Sequence, residues 1–163
     1  MSVALLIYVI LERLFELVIA RRNTAKLMSR GAVEVGAAHY PIMIALHISW
    51  LVALVGWVMF ATYEVSAPLL ALYILLQGFR LWVMATLGPY WTTRIITLTD
   101  APLIKRGPYR FVRHPNYVVV TLEIVVLPLV FGAWHIAVVF TVLNALMLRT
   151  RIEAENAALN ARG

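Results

Sequence analysis

The sequence predicts an all-α integral membrane protein with five transmembrane helices, of which the last two form a tight hairpin. Hydrophobic residues make up 63% of the 163 residues and charged residues only 13%, which is too few to solvate a soluble globule of this size. The hydrophobic residues lie in blocks, several of them long enough to cross a hydrocarbon core of about 30 Å. Of the connections between these blocks, only alternate ones contain basic residues.

Each of five apolar segments is predicted to form a spanning helix. The first lacks a basic leader and a small-residue cleavage site, so we expect it to be retained. Pro41, near the start of the second, leaves open whether that segment crosses fully or is partly re-entrant. Pro115 begins the fourth and suits the first position of a helix, where its missing N–H would have no partner. The segments are 3–20, 40–63, 67–87, 115–131 and 134–148.

The distribution of arginine and lysine predicts the orientation. Basic residues follow the first, third and fifth segments, whereas the connections at 62–66 and 131–135 contain none. Because cytoplasmic connections carry an excess of Lys and Arg, five crossings place the N-terminus outside and the C-terminus in the cytoplasm. Anionic lipid then accounts for the net charge of +6, and nucleic acid is not an expected partner. The residues concerned are Arg21, Arg22, Lys26, Arg30, Arg94, Lys105, Arg106, Arg110, Arg113, Arg149, Arg151 and Arg162.

The chain is predicted to be a single membrane-embedded domain over residues 1–163. Residues 1–87 supply three helices, and residues 88–163 supply a loop, the hairpin and a C-terminal helix. The connection Phe131-Gly132-Ala133-Trp134 is so short that the last two helices must run antiparallel. The hairpin therefore brings Arg151 and Glu155 towards Arg113 and His114, so that two polar clusters distant in sequence are expected to meet.

The densest polar cluster lies at residues 107–117, which hold two arginines, a histidine and two tyrosines. Polar groups cost free energy in a hydrocarbon environment unless something polar binds them. The start of the fourth helix offers free N–H groups and the positive end of the helix dipole, flanked by Arg113 and His114, which predicts a site for an anion or carboxylate. The alternative is that the arginines anchor the helix at the interface and that His114 caps it.

Two further sets of charged residues could belong to a functional site or could only stabilise the fold. Arg151 and Glu155 are four residues apart and can pair on one helix face, although a solvated helix end would look the same. Charged residues inside apolar segments usually pair in the bundle interior, and Arg80 is the expected partner of the first-segment acids. Contacts between helices are the more common role of such charges, and a substrate pocket is the alternative. These residues are Glu12, Arg13, Glu16, Arg80 and Glu123.

Several chemistries are excluded by composition. The chain has no cysteine, which rules out disulfides, thiolate metal ligands and cysteine nucleophiles. His47 and His135 have no partner at metal-ligand spacing, and the sequence contains neither HExxH nor a glycine-rich phosphate loop. No metal site is predicted.

Two separated motifs resemble those of the isoprenylcysteine carboxyl methyltransferase family. They are Gly107-Pro108-Tyr109-(x)3-Arg113-His114-Pro115-Asn116-Tyr117 and, beyond the hairpin, Arg151-Ile152-x-x-Glu155-x-x-x-Leu159. Members of this family are integral membrane enzymes that use S-adenosylmethionine (SAM). The N-terminal half, with Glu12-Arg13-Leu14-Phe15-Glu16 and residues 31–41, is similar to a bacterial branch that O-methylates alkylpyrones and related polyketide lipids.

The resemblance implies a SAM site and a catalytic residue. Arg151 would face the reacting oxygen of the substrate. Ala101, Val118 and Asn156 depart from the family pattern, which often has a histidine, a glycine and a second acid there, and the first departure removes a polar cofactor contact. The implied cofactor-binding residues are Leu103, Ile104, Tyr109, Arg113, His114, Pro115, Asn116, Tyr117 and Glu155.

The predicted function is SAM-dependent methylation of an acidic oxygen on a lipophilic molecule, at the cytoplasmic face of a bacterial inner membrane. A carboxylate or acidic enol is already ionised at neutral pH, whereas a phenol with a pKa near ~10 would want a base. His114, Glu155 and Glu123 are the candidates for such a base. Carboxyl methylation of a prenylated cysteine, N-methylation of a phospholipid amine and non-enzymatic lipid binding remain alternatives. The expected partners are the lipophilic substrate and membrane lipids, with the oligomeric state open.

Overall fold

A computed structural model describes residues 2–99, 101 and 103–160, and five helices dominate it. All five coincide with the predicted segments, which confirms the mostly helical fold. The first and last helices extend beyond their apolar parts, by about two and three turns. Arg162, one of the predicted cytoplasmic residues, lies outside the described residues. The helices are α1 Ser2–Met28, α2 Tyr40–Phe60, α3 Ala67–Leu87, α4 Pro115–Val130 and α5 Trp134–Asn160.

Three helical segments are long and apolar enough to cross a membrane, namely Ala37–Phe60, Ala67–Tyr90 and Trp134–Asn160. The length and composition of these helices indicate a membrane protein. Helix α4 is also apolar, but its 16 residues span only about 24 Å. Helix α1 has 27 residues and carries Glu12, Arg13 and Glu16 in its middle. Five crossings with the N-terminus outside therefore stay a prediction.

The hydrophobic core fills the end of the bundle at the α4–α5 turn. Leu54, Tyr73, Leu127 and Phe131 are almost completely buried there. The turn is closed by backbone hydrogen bonds from the N–H groups of residues 131 and 133 to the carbonyl of Pro128, at 3.0 and 2.9 Å. These contacts confirm the predicted antiparallel hairpin and leave the opposite end of the bundle for polar residues.

A buried network of ion pairs joins α1, α3 and α4. The guanidinium of Arg80 contacts Glu16 and also Glu123, the latter at 2.8 Å. Arg13 lies 2.9 Å from Glu16 and 3.1 Å from Glu123, and Glu12 lies 3.5 Å from Arg13. The predicted pairing of Arg80 with a first-segment acid is confirmed for Glu16. The pairing gives each buried charge a partner away from hydrocarbon.

The structure contains one feature that an all-α prediction omits, a two-stranded antiparallel sheet. Strands β1 Val33–Val35 and β2 Ile95–Thr97 pair in the register Glu34 to Ile96. Arg94 donates to both carboxylate oxygens of Glu34, at 2.7 and 2.8 Å. Three residues are too few for the alternation of apolar and polar side chains that marks a strand. The sheet joins the α1–α2 connection to the loop after α3 and so covers the polar end of the bundle.

Candidate functional site

A cavity of about 1710 Å³ opens at the end of the bundle where α4 begins and α5 ends. Every predicted site residue except Pro115 lines it, and Pro115 is buried beside it as the first residue of α4. Leu103 and Ile104, from the loop before α4, belong to the lining, although Leu103 is half-exposed. The structure therefore gathers around one cavity residues that the sequence separates by about fifty positions.

The turn Gly107–Arg110 places Tyr109 at the cavity. Gly107 has a φ of +56°, and a Cβ at this position would lie 2.6 Å from Thr86 Oγ1. Only glycine suits both the left-handed backbone and the close approach to α3. Burial of the Tyr109 hydroxyl raises its pKa above the ordinary value, and the charge of Glu155 adds to this effect. Tyr109 is therefore a neutral hydrogen-bonding group at physiological pH.

His114 connects the start of α4 to the end of α5, as the sequence predicted for the two clusters. Its Nδ1 lies 3.4 Å from Glu155 Oε2, and its Nε2 lies 3.2 Å from Asn156 Oδ1. The ring stacks on Tyr117 with a centroid separation of 5.5 Å. The hydrogen bond to Glu155 raises the pKa of His114 above its ordinary value, outweighing partial burial, which lowers it.

The alternative role of His114 as a capping side chain is not supported. His114 is the N-cap residue of α4, but its side chain makes no capping hydrogen bond. Its backbone carbonyl instead accepts the N–H groups of Tyr117 and Val118, at 3.1 and 3.4 Å. The helix start thus offers fewer free N–H groups than the sequence predicted, and side chains carry most of the polar character of the site. Arg113 points to α5, donating to Asn160 Oδ1 at 3.4 Å.

Arg151 is the most unusual polar group of the cavity. Its exposed fraction is only 4%, yet among the described residues it forms no ion pair, because Glu155 pairs with His114 instead. The predicted Arg151–Glu155 pair is therefore wrong. Arg151 Nη2 donates to the carbonyl of Thr93 at 3.0 Å, and the guanidinium lies 5.9 Å from the ring centre of Tyr117. A buried cation without a carboxylate is costly unless a ligand supplies the negative charge.

Among the residues predicted to form the site, two have a buried polar atom without a hydrogen-bond partner in the described part of the chain: Asn116 Oδ1 and Arg151 Nε. The indole N–H groups of Trp50 and Trp91, which also line the cavity, are unpartnered as well. Nearly all buried polar groups in folded proteins are satisfied, so an orphaned acceptor and an orphaned donor beside one cavity indicate a polar ligand. Together with the His114–Glu155 pair, these atoms form a set of hydrogen-bond donors and acceptors that fits a zwitterionic amino-acid group.

The loop that covers the site was not predicted from the sequence. Trp91, Thr93 and Arg94 line the cavity from the segment before β2, and Thr93 Oγ1 shares a hydrogen bond of 2.9 Å with the hydroxyl of Tyr40. The guanidinium of Arg94 stacks 4.2 Å from the Tyr40 ring centre. A pair of threonines before a short strand is too ordinary a pattern to predict a ligand site.

Deeper in the bundle, the cavity becomes apolar. Helices α1 and α2 supply most of this wall, and the ion-pair network of Arg13, Glu16, Arg80 and Glu123 forms its far end. A cavity with a polar mouth and an apolar interior suits an amphiphile whose polar group stays at the mouth. The apolar lining includes Ile10, Leu14, Leu17, Met43, Ile44, Ile48 and Leu51.

Comparison with protein families gives a direct result. The model of the isoprenylcysteine carboxyl methyltransferase (ICMT) family matches residues 69–161, which is more than half of the chain and includes both polar clusters. The chain belongs to the ICMT family. This confirms the family resemblance of the two motifs and identifies a membrane methyltransferase.

Two relatives are similar over nearly their whole length. The uncharacterized protein YpbQ of Bacillus subtilis (strain 168) is 37% identical over 158 residues, covering 95% of this chain and 94% of the relative. An uncharacterized protein of Haemophilus influenzae (strain ATCC 51907 / DSM 11121 / KW20 / Rd) is 25% identical over 152 residues, covering 91% and 88%. No solved structure matches significantly. The resemblance to the alkylpyrone branch therefore stays a prediction.

Proposed function

We propose that this ICMT-family member transfers a methyl group from SAM to an acidic oxygen of a lipophilic molecule, at the cytoplasmic face of a bacterial inner membrane. One observation carries the proposal: among the described residues the buried guanidinium of Arg151 forms no ion pair, and it lines the cavity together with polar mouth residues and apolar walls. An anionic acceptor group on an apolar body complements both features.

The residues at the mouth fit SAM. His114 and Glu155 present a paired positive and negative charge, Asn116 Oδ1 is a buried acceptor without a partner, and Tyr109 offers a neutral hydroxyl. Leu103 and Ile104 add apolar surface from the loop. When bound, SAM supplies an electrophilic methyl group on a positively charged sulfur. The role of the protein is then to hold the polar groups of the cofactor and to keep water away.

Arg151 would act on the acceptor. A guanidinium in a buried site lowers the pKa of a nearby acidic oxygen and keeps it ionised. Such an oxygen needs no general base, and catalysis comes mainly from orientation of the reacting atoms, which can contribute roughly 7–11 kcal/mol. The hydrogen bond from Arg151 to the Thr93 carbonyl and the Tyr117 ring fix the guanidinium. This rigidity favours one acceptor position.

The same residue argues against N-methylation of a phospholipid amine. An amine acceptor is a cation before it reacts, and Arg151 would repel it in a low-dielectric site. Carboxyl methylation of a prenylated cysteine is compatible with Arg151, because that acceptor is also an anion with an apolar body. It is the second candidate function, and methylation of a farnesylcysteine analogue in place of an alkylpyrone would favour it.

The first experiment measures binding of S-adenosylhomocysteine (SAH) to the detergent-purified protein by titration calorimetry. We expect saturable binding that weakens about tenfold or more in His114→Ala and Glu155→Ala, since each removes one charge-assisted contact. Glu153→Ala is the matched control on α5, because Glu153 is exposed and its one ion pair among the described residues is with Arg149, at 3.1 Å. Absence of SAH binding by a folded wild type would reject the proposal and favour non-enzymatic lipid binding.

A second measurement separates the two halves of the site. With labelled SAM and an alkylpyrone acceptor, Arg151→Gln should retain SAH affinity within about threefold but lose transfer by roughly a hundredfold. Loss of SAH binding and transfer together in a folded Arg151→Gln protein would place Arg151 in the cofactor site instead.

A further inference from the structure

Two polar side chains interrupt the apolar part of the cavity between its mouth and the ion-pair network. They are His47 of α2 and Asn144 of α5, and both line the cavity. Asn144 is 1% exposed. Their neighbours in the lining are hydrocarbon, including Ile44, Ile48 and Met147. Polar groups at membrane depth are expensive and are usually retained for a function.

Hydrogen bonds determine what His47 offers to the cavity. Its Nδ1 lies 2.8 Å from the carbonyl of Met43, and a carbonyl can only accept, so Nδ1 carries the proton. The neutral ring therefore presents Nε2 as a hydrogen-bond acceptor.

The same reasoning orients Asn144. The hydroxyl of Thr121 donates to the carbonyl of Tyr117 at 2.8 Å, so Thr121 Oγ1 is free to accept. It accepts from Asn144 Nδ2 at 3.3 Å. The amide nitrogen thus faces Thr121, and Oδ1 is the remaining acceptor of Asn144. His47 therefore offers an acceptor, whereas Asn144 offers Oδ1 as an acceptor and the second N–H of Nδ2 as a donor.

The two residues lie at similar depth. Tyr40, at the start of α2, and Arg151 both contact Thr93. His47 is two turns along α2 from Tyr40, and Asn144 is two turns before Arg151 on α5, which runs in the opposite direction. Two turns correspond to about 10 Å along either helix. The polar pair is therefore about 10 Å deeper in the cavity than Arg151.

We propose that His47 and Asn144 form a second polar subsite, which selects acceptors carrying a hydroxyl or N–H group about 10 Å from the oxygen that faces Arg151. This inference rests on the proposed function for the identity of the reacting oxygen. A hydroxyl can donate to His47 Nε2 and accept from the Asn144 amide at once, whereas a ketone or ether oxygen can only accept. The indole N–H of Trp50 also lines the cavity and has no partner among the described residues, but it can serve either kind of oxygen and does not discriminate between them.

The test compares three long-chain acids for binding to the detergent-purified protein: hexadecanoate, its hydroxy derivative and its oxo derivative, each substituted about 10 Å from the carboxylate. The carboxylate stands for the acidic oxygen at Arg151. We expect the hydroxy acid to bind about tenfold more tightly than the oxo acid, because donation to His47 adds one buried hydrogen bond, and to bind more tightly still than hexadecanoate. Equal binding of the hydroxy and oxo acids, or no binding of any acid, would overturn the proposal.

Three variants assign the preference to the subsite. His47→Leu should abolish the advantage of the hydroxy acid, whereas His47→Gln, which keeps an acceptor, should retain part of it. Ser49→Ala is the matched control, since Ser49 is exposed on the same helix and its hydroxyl donates to the Leu46 carbonyl of its own helix. An unchanged advantage in a folded His47→Leu protein would also overturn the proposal.

The two hypotheses fail separately. SAH binding should be unchanged in His47→Leu, because His47 lies away from the mouth residues. If the wild type does not bind SAH but prefers the hydroxy acid, the methyltransferase proposal fails and the subsite stands. If the wild type binds SAH without preferring the hydroxy acid, the subsite fails and the methyltransferase proposal stands.

Discussion

At the scale of single residues, His114 has the clearest consequence for pH dependence. Its folded-state pKa is raised by the Glu155 hydrogen bond, so the contribution to stability is complete below the ordinary histidine value near 6.5. That contribution is lost as the pH rises through the raised folded value. Protonated His114 is therefore the form that holds α4 to the end of α5.

We expect His114→Gln to lower the free energy of unfolding by about 1 kcal/mol or less at pH 6, because the His114–Glu155 pair is only partly buried. The difference should shrink towards pH 9. Thermal unfolding in detergent at several pH values measures it, with Glu155→Gln as the control that should remove the same dependence. A difference that grew with pH would contradict the assigned partner.

Residue types were predictable at this scale, but their partners were not. The cluster at 107–117 indicated His114 and Arg113, and the hairpin length indicated that Glu155 would come near them. Helical spacing then paired Arg151 with Glu155, since it considers only one helix. In the structure, Glu155 contacts His114 of the neighbouring helix instead. Arg151 is therefore a buried cation that a ligand could pair with.

At the scale of elements, the turn before α4 depends on Gly107. Gly107→Ala places a side chain at positive φ and 2.6 Å from Thr86 Oγ1, which is itself held by a 2.7 Å bond to the Trp82 carbonyl. We expect a loss of about 2–4 kcal/mol, combining backbone strain with a clash. Thermal unfolding and SAH binding should both decline, since the turn carries Tyr109.

Gly31→Ala is the matched control for Gly107→Ala. Gly31 also has a positive φ, of +86°, but has open space around the missing Cβ. Gly31→Ala should lower the free energy of unfolding only by the cost of backbone strain, about 1–2 kcal/mol. Adding Thr86→Ala to Gly107→Ala should recover most of the steric part. Equal losses for the two glycine variants would show that the contact with Thr86 is unimportant.

The ion-pair network is the second element-scale feature, since it joins α1 to α3 and α4. Glu123→Leu leaves Arg80 and Arg13 short of negative charge in a buried site, and removing one partner of a buried pair typically costs about 3–5 kcal/mol. Glu123→Gln keeps the hydrogen-bonding shape and should lose less. Unfolding in detergent checks this, with the exposed Glu153→Gln expected to change stability by less than about 0.5 kcal/mol. A Glu123→Leu protein as stable as wild type would contradict the role of the network.

Helices were predictable from the sequence because their apolar segments are long and bounded by charge, proline or glycine. Part of the network was predictable, because an arginine inside an apolar segment needs an acidic partner. That Glu123 is a partner of Arg80 in addition to Glu16 depends on the packing of α4 against α3, which the sequence does not reveal. The sheet was unpredictable, because Val33–Val35 and Ile95–Thr97 are three residues each and pair across about sixty residues of chain.

At the scale of the whole molecule, the cavity explains why polar residues gather at one end of an otherwise apolar bundle. Five helices present their polar positions to a common space, with Arg151 between the mouth and the apolar part. The two sequence motifs indicated the residues at the mouth of the cavity but not those deeper in it, since His47 and Asn144 lie outside both motifs. The packing of α2 against α5 places them deeper in the cavity, where the proposed subsite would select the body of the substrate.

The topology of the whole chain is the remaining prediction, and the absence of cysteine makes it directly testable. Single cysteines at Ser2 and Glu64 should react with a membrane-impermeant maleimide in intact cells, because five crossings place both outside. Cysteines at Arg30 and Lys105 should react only after permeabilisation. The wild type is the unlabelled control. Labelling of Ser2→Cys only after permeabilisation, with Glu64→Cys still labelled in intact cells, would mean that α1 does not cross.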